Sequence, residues 1–474
     1  MNIPTRVRFA PSPTGLLHVG GVRSALFNYL WARHNGGQFI LRLEDTDRAR
    51  LVEGAAEQIN ASLVGLGIEP DESEAKGGKY GPYRQSDRLD LYKIHAETLI
   101  ESGALYPCWC SAERLDGLRQ DAQKAGTAFK YDRHCLDTTN QRPLSEPHVL
   151  RFMIPGDVET VAWDDAVRGH MSIRARDLDD FVAVKSDGYP TYHFANVVDD
   201  YLMEITHVLR ADEWLPSTPK HLLLFAAFGW DAPTYAHLPA VQGPDGNKKL
   251  SKRDGAQSVG EYLAEGYLPE ALMSFMASLG WNDGTTQEVY SPQELIEKFT
   301  LERIQKSPAR FDKDRLIWMN GYMIRALTPE ALLERSDSFW SDSATSFSDN
   351  YRLEALKLVQ ERLKFMAELP DLTDFFFEDP SFDPKLVKGF DTNECTRHLV
   401  GLLAELTACE QWNHDELETM LRGYVSKHDL KTGQLFGLIR IAITGKTAAP
   451  GLFETMVVLG RDRTMQRLLN ASKA

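Results

Sequence analysis

Ala10-Pro11-Ser12-Pro13-Thr14-Gly15-Leu16-Leu17-His18-Val19-Gly20-Gly21 is the stretch on which the fold turns. Its prolines and first glycine break any regular element, so the chain has to turn here. Just upstream, Arg6-Val7-Arg8-Phe9-Ala10 predicts a short strand. Downstream, Val22, Ala25, Leu26, Tyr29 and Leu30 recur at helical spacing, and Gly36-Gly37 stops that helix. Phe39-Ile40-Leu41-Arg42-Leu43 then reads as a second strand. Strand, helix and strand in this order predict a parallel sheet with nucleotide chemistry at its carboxyl edge.

The turn has the chemistry for that. A helix N-terminus offers unbonded backbone N–H groups and a partial positive charge, which suit phosphate. Gly15, Gly20 and Gly21 allow close approach, and His18 can donate to a phosphoryl oxygen as charge builds up. A lone His-x-Gly is more often a turn with a satisfied structural histidine. A second cationic segment lies far downstream. Lys248-Lys249-Leu250-Ser251-Lys252-Arg253 follows Gly243-Pro244-Asp245-Gly246-Asn247 and reads as a loop able to clamp phosphates. Standing alone, it would be a solvated charge run.

Length and composition set the frame. The 474 residues allow a large core and about two to four domains. A hydrophobic content of 43% with 26% charged residues fits an ordinary globular chain. No apolar run approaches the roughly 18–20 residues that span a bilayer, and Met1 to Arg8 lacks the apolar centre of a secretory signal. No membrane association is expected, and a cytoplasmic location is. The net charge of −15 argues against unspecific nucleic-acid binding, but not against one shaped basic site on an acidic body.

Further along, 107–185 reads as an insertion between two halves of the sheet domain, with Val149-Leu150-Arg151-Phe152-Met153 among its strands. Phe181-Val182-Ala183-Val184 and Ile205-Thr206-His207-Val208-Leu209-Arg210 are expected to resume the sheet. From about Tyr322 onward helical patterns dominate, as in Leu353 to Leu369 and Leu399 to Leu406.

Taken together, His18-Val19-Gly20-Gly21 and Lys249-Leu250-Ser251-Lys252-Arg253 resemble the paired "HIGH" and "KMSKS" signatures of class I aminoacyl-tRNA synthetases. Gly21 stands where the first signature ends in His, a departure familiar in the glutamate branch that removes one phosphate contact. Longer blocks sharpen the resemblance to bacterial-type glutamyl-tRNA synthetases. They are Arg8 to Gly15, Leu43-Glu44-Asp45-Thr46-Asp47-Arg48, Gly81-Pro82-Tyr83-Arg84-Gln85-Ser86, Lys185 to His193, Asn196-Val197-Val198-Asp199-Asp200, and Thr444-Gly445-Lys446 with Pro450-Gly451-Leu452-Phe453-Glu454. They run through nearly the whole chain in order.

The resemblance implies a Rossmann-like α/β catalytic domain with an inserted α+β acceptor-binding domain, followed by an all-helical anticodon-binding domain. Its divisions fall at 1–106 (first catalytic half), 107–185 (insertion), 186–245 (second half), 246–321 (stem-contact region with the Lys-Leu-Ser-Lys-Arg loop) and 322–474 (anticodon domain). It implies ATP-dependent activation of L-glutamate to glutamyl-adenylate and transfer to the 3′-terminal adenosine of tRNA(Glu), with AMP and pyrophosphate released. Mg²⁺ would accompany ATP, and the protein would be a monomer.

By the same resemblance, glutamate is held by Arg8, Ala10, Ser12, Glu44, Tyr192, Asn196 and Arg210. ATP is held by His18, Gly20, Glu213, Lys249, Ser251 and Lys252. Catalysis rests on His18, Lys249 and Lys252. A substrate with two carboxylates needs cations in fixed geometry, and the planar guanidinium fork supplies them; Glu44 suits the substrate ammonium. Arg362, in Gln360-Glu361-Arg362, falls near the position that separates glutamate tRNA from glutamine tRNA by the third anticodon base.

Of the five cysteines, Cys108, Cys110 and Cys135 cluster in sequence. An odd, sparse set is no disulfide framework. Three close thiols can bind structural Zn²⁺ with one more ligand, or remain three reduced, partly buried cysteines. The resemblance points to Tyr131 as the fourth ligand, while general chemistry also admits His134 and Asp137.

Two other functions compete. A small-molecule adenylyltransferase shares a His-x-Gly-His sheet fold but needs no helical C-terminal domain. A non-catalytic tRNA-binding paralogue would have no reason to keep His18, Lys249, Lys252, Arg8 and Arg210 together.

Overall fold

The computed structural model describes residues 4–474 apart from 16, 138, 140 and 247–256. The described chain falls into two compact units, one of 1–262 with 272–312 and one of 263–271 with 313–474.

The first unit is built on a six-stranded sheet. Its strands are β1 (Arg6–Phe9), β2 (Gln38–Leu41), β5 (Thr160–Asp165), β6 (Gly169–Arg174), β8 (His207–Ala211) and β9 (Thr234–Leu238). Their spatial order is β2-β1-β8-β9-β5-β6. All the contacts from β2 to β5 are parallel, and only the β5–β6 hairpin is antiparallel. β1 is buried along its whole length, as a parallel strand covered on both faces should be.

Helix α1 (Val19–His34) follows the Pro/Gly turn and packs on β1 and β2. Arg33 and His34 sit in its last turn, where cations complement the helix dipole. Gly36 then takes a positive φ of 61° and Gln38 returns into β2. Helices α2 (Ala55–Gly65), α3 (Leu89–Glu101) and α4 (Ala112–Lys124) precede α5 (Tyr192–Leu202) and α6 (Thr218–Phe228). Tyr192, Asn196, Asp199 and Asp200 fall at i, i+4, i+7 and i+8, which puts them on one face of α5.

A second sheet joins β3 (Leu105–Cys108), β4 (Val149–Phe152) and β7 (Phe181–Val184), all antiparallel. The expectation that Phe181–Val184 resumes the main sheet is therefore corrected: it pairs with β4, and β8 alone returns beside β1. A four-residue apolar run carries no information about its partner. Conversely β5, inside the stretch read as an insertion, joins the main sheet through Asp165 opposite Tyr235. A short pair, β10 (Val241–Gln242) with β11 (Ala309–Arg310), completes the strands of the described residues.

The second unit is helical among the described residues. Its longer helices are Lys313–Ala326, Asp349–Val359, Thr392–Thr407, His414–Lys427, Thr432–Thr444 and Arg461–Ala471. Asp391 and Glu394 form a capping box on Thr392–Thr407, and Gly445 ends Thr432–Thr444 in the left-handed conformation. Leu399, Leu402, Leu417, Leu421, Leu438 and Met456 are among the apolar residues that close its core. No helix among the described residues is long and apolar enough to cross a membrane.

Candidate active site

A cleft of about 880 Å³ opens at the carboxyl ends of β1 and β8. Such a crevice is where open parallel sheets bind ligands. Arg8, Ala10, Ser12, His18, Gly20, Glu44, Tyr192, Asn196, Arg210 and Glu213 all line it. Lys249, Ser251 and Lys252 lie outside the described residues.

His18 is the N-cap of α1. Its Nδ1 accepts the Gly21 backbone N–H at 3.2 Å. Nδ1 is therefore unprotonated, and the neutral ring carries its proton on Nε2. One ring thus caps the helix and lines the cleft at the end where phosphate is favoured.

Arg8 projects from β1 into a buried ion network. Its Nε and Nη2 donate to Oδ1 and Oδ2 of Asp200 at 3.0 and 3.2 Å. Arg42 donates to Asp200 Oδ1 at 2.7 Å and to Glu44 Oε1 at 3.2 Å. Asp199 joins that group through Arg42 Nε at 3.8 Å and also takes Gln85, Arg88 and Tyr92 at 2.9, 2.7 and 2.8 Å. Burial works to raise the Asp200 carboxyl, but Arg8 and Arg42 outweigh it and hold it below the usual carboxylate range.

Glu44 behaves in the opposite way. Burial pushes its carboxyl up, against Arg42 and Arg8. A cation placed beside it would favour the ionised form. Asn196 donates to Glu44 Oε1 at 3.3 Å, and its buried Oδ1 has no hydrogen-bond partner among the described residues. A carboxylate and an unpartnered acceptor side by side suit an ammonium group, which can only donate.

Arg210, on β8, meets neutral acceptors. Nε donates to His237 Nε2 at 3.0 Å, and Nη1 to the Tyr192 hydroxyl at 3.1 Å and His221 Nδ1 at 3.2 Å. Nη2 reaches the Trp214 carbonyl at 3.3 Å and Thr218 Oγ1 at 2.9 Å. The Tyr192 ring packs on Trp214 with centroids 4.2 Å apart. Burial, then Arg210, keeps His221 neutral; burial, then Lys220 and Arg210, push His193 down to about 3. A cation held only by neutral groups in a buried cleft suits an incoming carboxylate.

Asp200, Arg42, His221, His237 and Asp165 were given no role from the sequence. Asp200 stood within a quoted block, but its partners are not its sequence neighbours. The others carry no local signature.

Away from the cleft, Cys108, Cys110 and Cys135 bring their sulfurs within 4.8 Å of one another. Cys110 and Cys135 are 3.6 Å apart. Tetrahedral zinc with Zn–S bonds of about 2.3 Å requires sulfurs roughly 3.8 Å apart, so the tripod fits. The Tyr131 hydroxyl lies 3.3 Å from both Cys108 and Cys110. His134 and Asp137 are not part of the cluster, and Asp137 instead accepts from Thr139. In the second unit Arg362 is exposed, in a turn anchored where buried Gln360 donates to the Ile324 and Leu327 carbonyls.

Two family descriptions match this chain: "tRNA synthetases class I (E and Q), catalytic domain" over residues 4–318, and "Anticodon binding domain" over residues 327–472. The chain is 46% identical to the glutamate–tRNA ligase of Dehalococcoides mccartyi over 479 aligned residues, covering 99% of this chain and 98% of that one. It is 45% identical to the glutamate–tRNA ligase of a Roseiflexus species, covering 99% and 97%. A crystal structure of a glutamate tRNA ligase from Elizabethkingia meningosepticum, in complex with its amino acid, is similar with a TM-score of 0.90 and 35% identity, covering 100% of both chains.

Proposed function

The chain belongs to the class I tRNA synthetases of the glutamate and glutamine branch, and from that membership we propose how its own residues divide the work. Its activity is that of a glutamate–tRNA ligase, which couples glutamate to tRNA at the expense of ATP. One observation carries the residue assignment: an anion-ready helix cap, an ammonium-ready acceptor pair and a carboxylate-ready arginine share one cleft.

In this reading Glu44 and Asn196 take the substrate ammonium. Arg210, with Tyr192 on its edge and Arg8 across the cleft, takes the carboxylates. Ala10 and Ser12 supply the wall beside β1. ATP lies along the turn, with its phosphates at His18 and Gly20 and a contact at Glu213. Lys249, Ser251 and Lys252 belong to the same ATP site. The α-carboxylate of glutamate attacks the α-phosphorus in line, the bond to the bridging oxygen breaks, and pyrophosphate leaves. The adenylate carbonyl is then attacked by a ribose hydroxyl of the terminal adenosine of tRNA(Glu), and AMP departs. No protein nucleophile takes part, so positioning and electrostatics carry the rate. Mg²⁺, bound with ATP, shares the phosphate charge.

We assign Cys108, Cys110, Tyr131 and Cys135 to structural zinc that braces residues 107–185, the region we assign to the acceptor end. The divisions at 186–245, 246–321 and 322–474 take the second catalytic half, the stem contact and the anticodon. Arg362 serves anticodon discrimination. The enzyme works as a monomer in the cytoplasm.

The test is charging of labelled glutamate with ATP and Mg²⁺, adding no tRNA, glutamate tRNA or glutamine tRNA. Label on glutamate tRNA alone is expected. Label on both removes the discriminating role of Arg362. Label on neither, with folded protein, overturns the assignment of the cleft.

A further inference from the structure

Arg210 differs from the other cations of the cleft in what stands behind it. Arg8 and Arg42 each pair with Asp200 directly. Arg210 has no carboxylate partner among the described residues, but a buried acid is linked to it through an imidazole. Asp165, the last residue of β5, accepts His237 Nδ1–H through Oδ2 at 2.5 Å. Its Oδ1 accepts the backbone N–H groups of Val167, Arg168 and His237 at 3.1, 2.9 and 3.2 Å. His237 Nε2 in turn accepts Arg210 Nε–H at 3.0 Å. All three side chains are buried.

The proton positions follow from donor chemistry. An arginine Nε–H can only donate, so His237 Nε2 is the acceptor and the ring proton sits on Nδ1. An ionised carboxylate can only accept, so Asp165 holds that tautomer in place. Three backbone N–H groups fix Asp165 itself. The imidazole thus transmits an orientation from a rigid strand end to the plane of the guanidinium.

We propose that Asp165 and His237 are positioning residues for glutamate recognition: the carboxylate fixes the imidazole tautomer, the imidazole fixes the Arg210 guanidinium, and the pair thereby sets both the affinity of the pocket and its preference for a carboxylate over an amide. This rests on the reading of Arg210 as a carboxylate-binding residue. In Asp165→Asn, Oδ1 keeps the backbone donors while the amide NH₂ turns to His237 Nδ1. The ring then protonates on Nε2 and meets Arg210 Nε–H donor to donor, so the guanidinium must turn away.

The experiment compares Asp165→Asn, His237→Ala, His237→Gln and Arg210→Ala with the unaltered enzyme, measuring charging kinetics with glutamate, ATP and glutamate tRNA. For Asp165→Asn and His237→Ala, the KM for glutamate rises about tenfold or more, while the KM for ATP stays within about twofold. The preference for glutamate over glutamine falls in parallel. His237→Gln offers an amide oxygen to Arg210 Nε and recovers part of the loss. A merely structural role would instead lower the amount of active enzyme and leave every KM alone. Unchanged glutamate KM in Asp165→Asn and His237→Ala, with a raised one in Arg210→Ala, overturns the relay and leaves the Arg210 reading standing. An unchanged glutamate KM in Arg210→Ala overturns that reading. The ¹⁵N shifts of His237 in the unaltered protein give a test free of any folding defect. Protonated Nδ1 with bare Nε2 is expected, and protonated Nε2 overturns the proposal.

Discussion

Arg8 and Asp200, 192 residues apart in sequence, meet edge to edge, Nε to Oδ1 at 3.0 Å and Nη2 to Oδ2 at 3.2 Å. The side chains are 3% and 0% exposed. The first strand of the main sheet and a helix far downstream are thereby tied by charge as well as by packing.

Removing one partner of such a pair costs more than the pair contributes, because a buried charge is left behind. Asp200→Ala strands Arg8, takes from Arg42 its shortest ion pair, and is expected to destabilise the first unit by about 3–5 kcal/mol. Asp200→Asn, which keeps an acceptor, costs less. Urea unfolding followed by tryptophan fluorescence measures the order of the two. The folded Asp200 carboxyl titrates below its unfolded value. Its stabilisation is therefore present above about pH 4 and is lost as pH falls below that toward the folded value.

Two buried histidines packed against Tyr192 give a second, milder acid limb. His193, pushed down to about 3, and His221, also lowered by burial and Arg210, stay neutral while the unfolded chain takes up protons below about pH 6.5. Their contribution is complete above that pH and declines on acidification, by at most about 1.4 kcal/mol per pH unit for each ring. Melting temperatures at pH 7.5 and 5.5 check it: the loss is expected to be smaller in His193→Gln than in the unaltered protein.

His18 combines a cap and a donor, and two variants separate them. His18→Ala loses both. The expected result is a fall in the charging rate of about 10²–10³-fold with a stability loss of about 1 kcal/mol. His18→Asn restores the cap, since asparagine is a favoured N-cap residue, but not the reach of the ring. Recovered melting temperature with unrecovered rate is the expected pattern, read by calorimetry and by charging assays.

The thiol tripod predicts bound metal. Protein purified without chelators is expected to carry zinc, measurable by elemental analysis. Cys110→Ser is expected to lower both the zinc content and the midpoint of thermal unfolding. Charging is expected to lose more in the KM for tRNA than in the KM for glutamate. Metal-free protein with an unaltered melting curve would falsify the zinc assignment.

Much of the catalytic half was legible because its signals are local. Pro11 to Gly15 break the chain, Val22 to Leu30 keep helical period, and Gly36 takes the left-handed turn that ends the segment. The sheet itself was less legible. Phe181–Val184 has the composition of any buried strand, yet only alternate residues are buried, which marks a strand with one covered face. Thr160–Asp165 meets its main-sheet neighbour β9 only at Asp165, too slight a signature to read from sequence. Arg8, Ala10, Ser12, His18, Glu44, Tyr192 and Asn196, which line the cleft, were found through motif blocks. The residues that orient them were not, because Asp165, His221 and His237 act through partners brought together only by the fold.

β1 is bonded on one side to β2 and on the other to β8, whose neighbour Thr206 bonds Arg6 across 200 residues. At ribosomal speeds of about 5–20 residues per second, that second neighbour emerges roughly 10–40 s after β1. For that interval β1 is an unfinished edge of the kind that templates wrong pairing. Arg6 and Arg8, which later find Glu72 and Asp200, keep this edge charged while it waits. The cations that build the finished cleft thus also guard the growing chain.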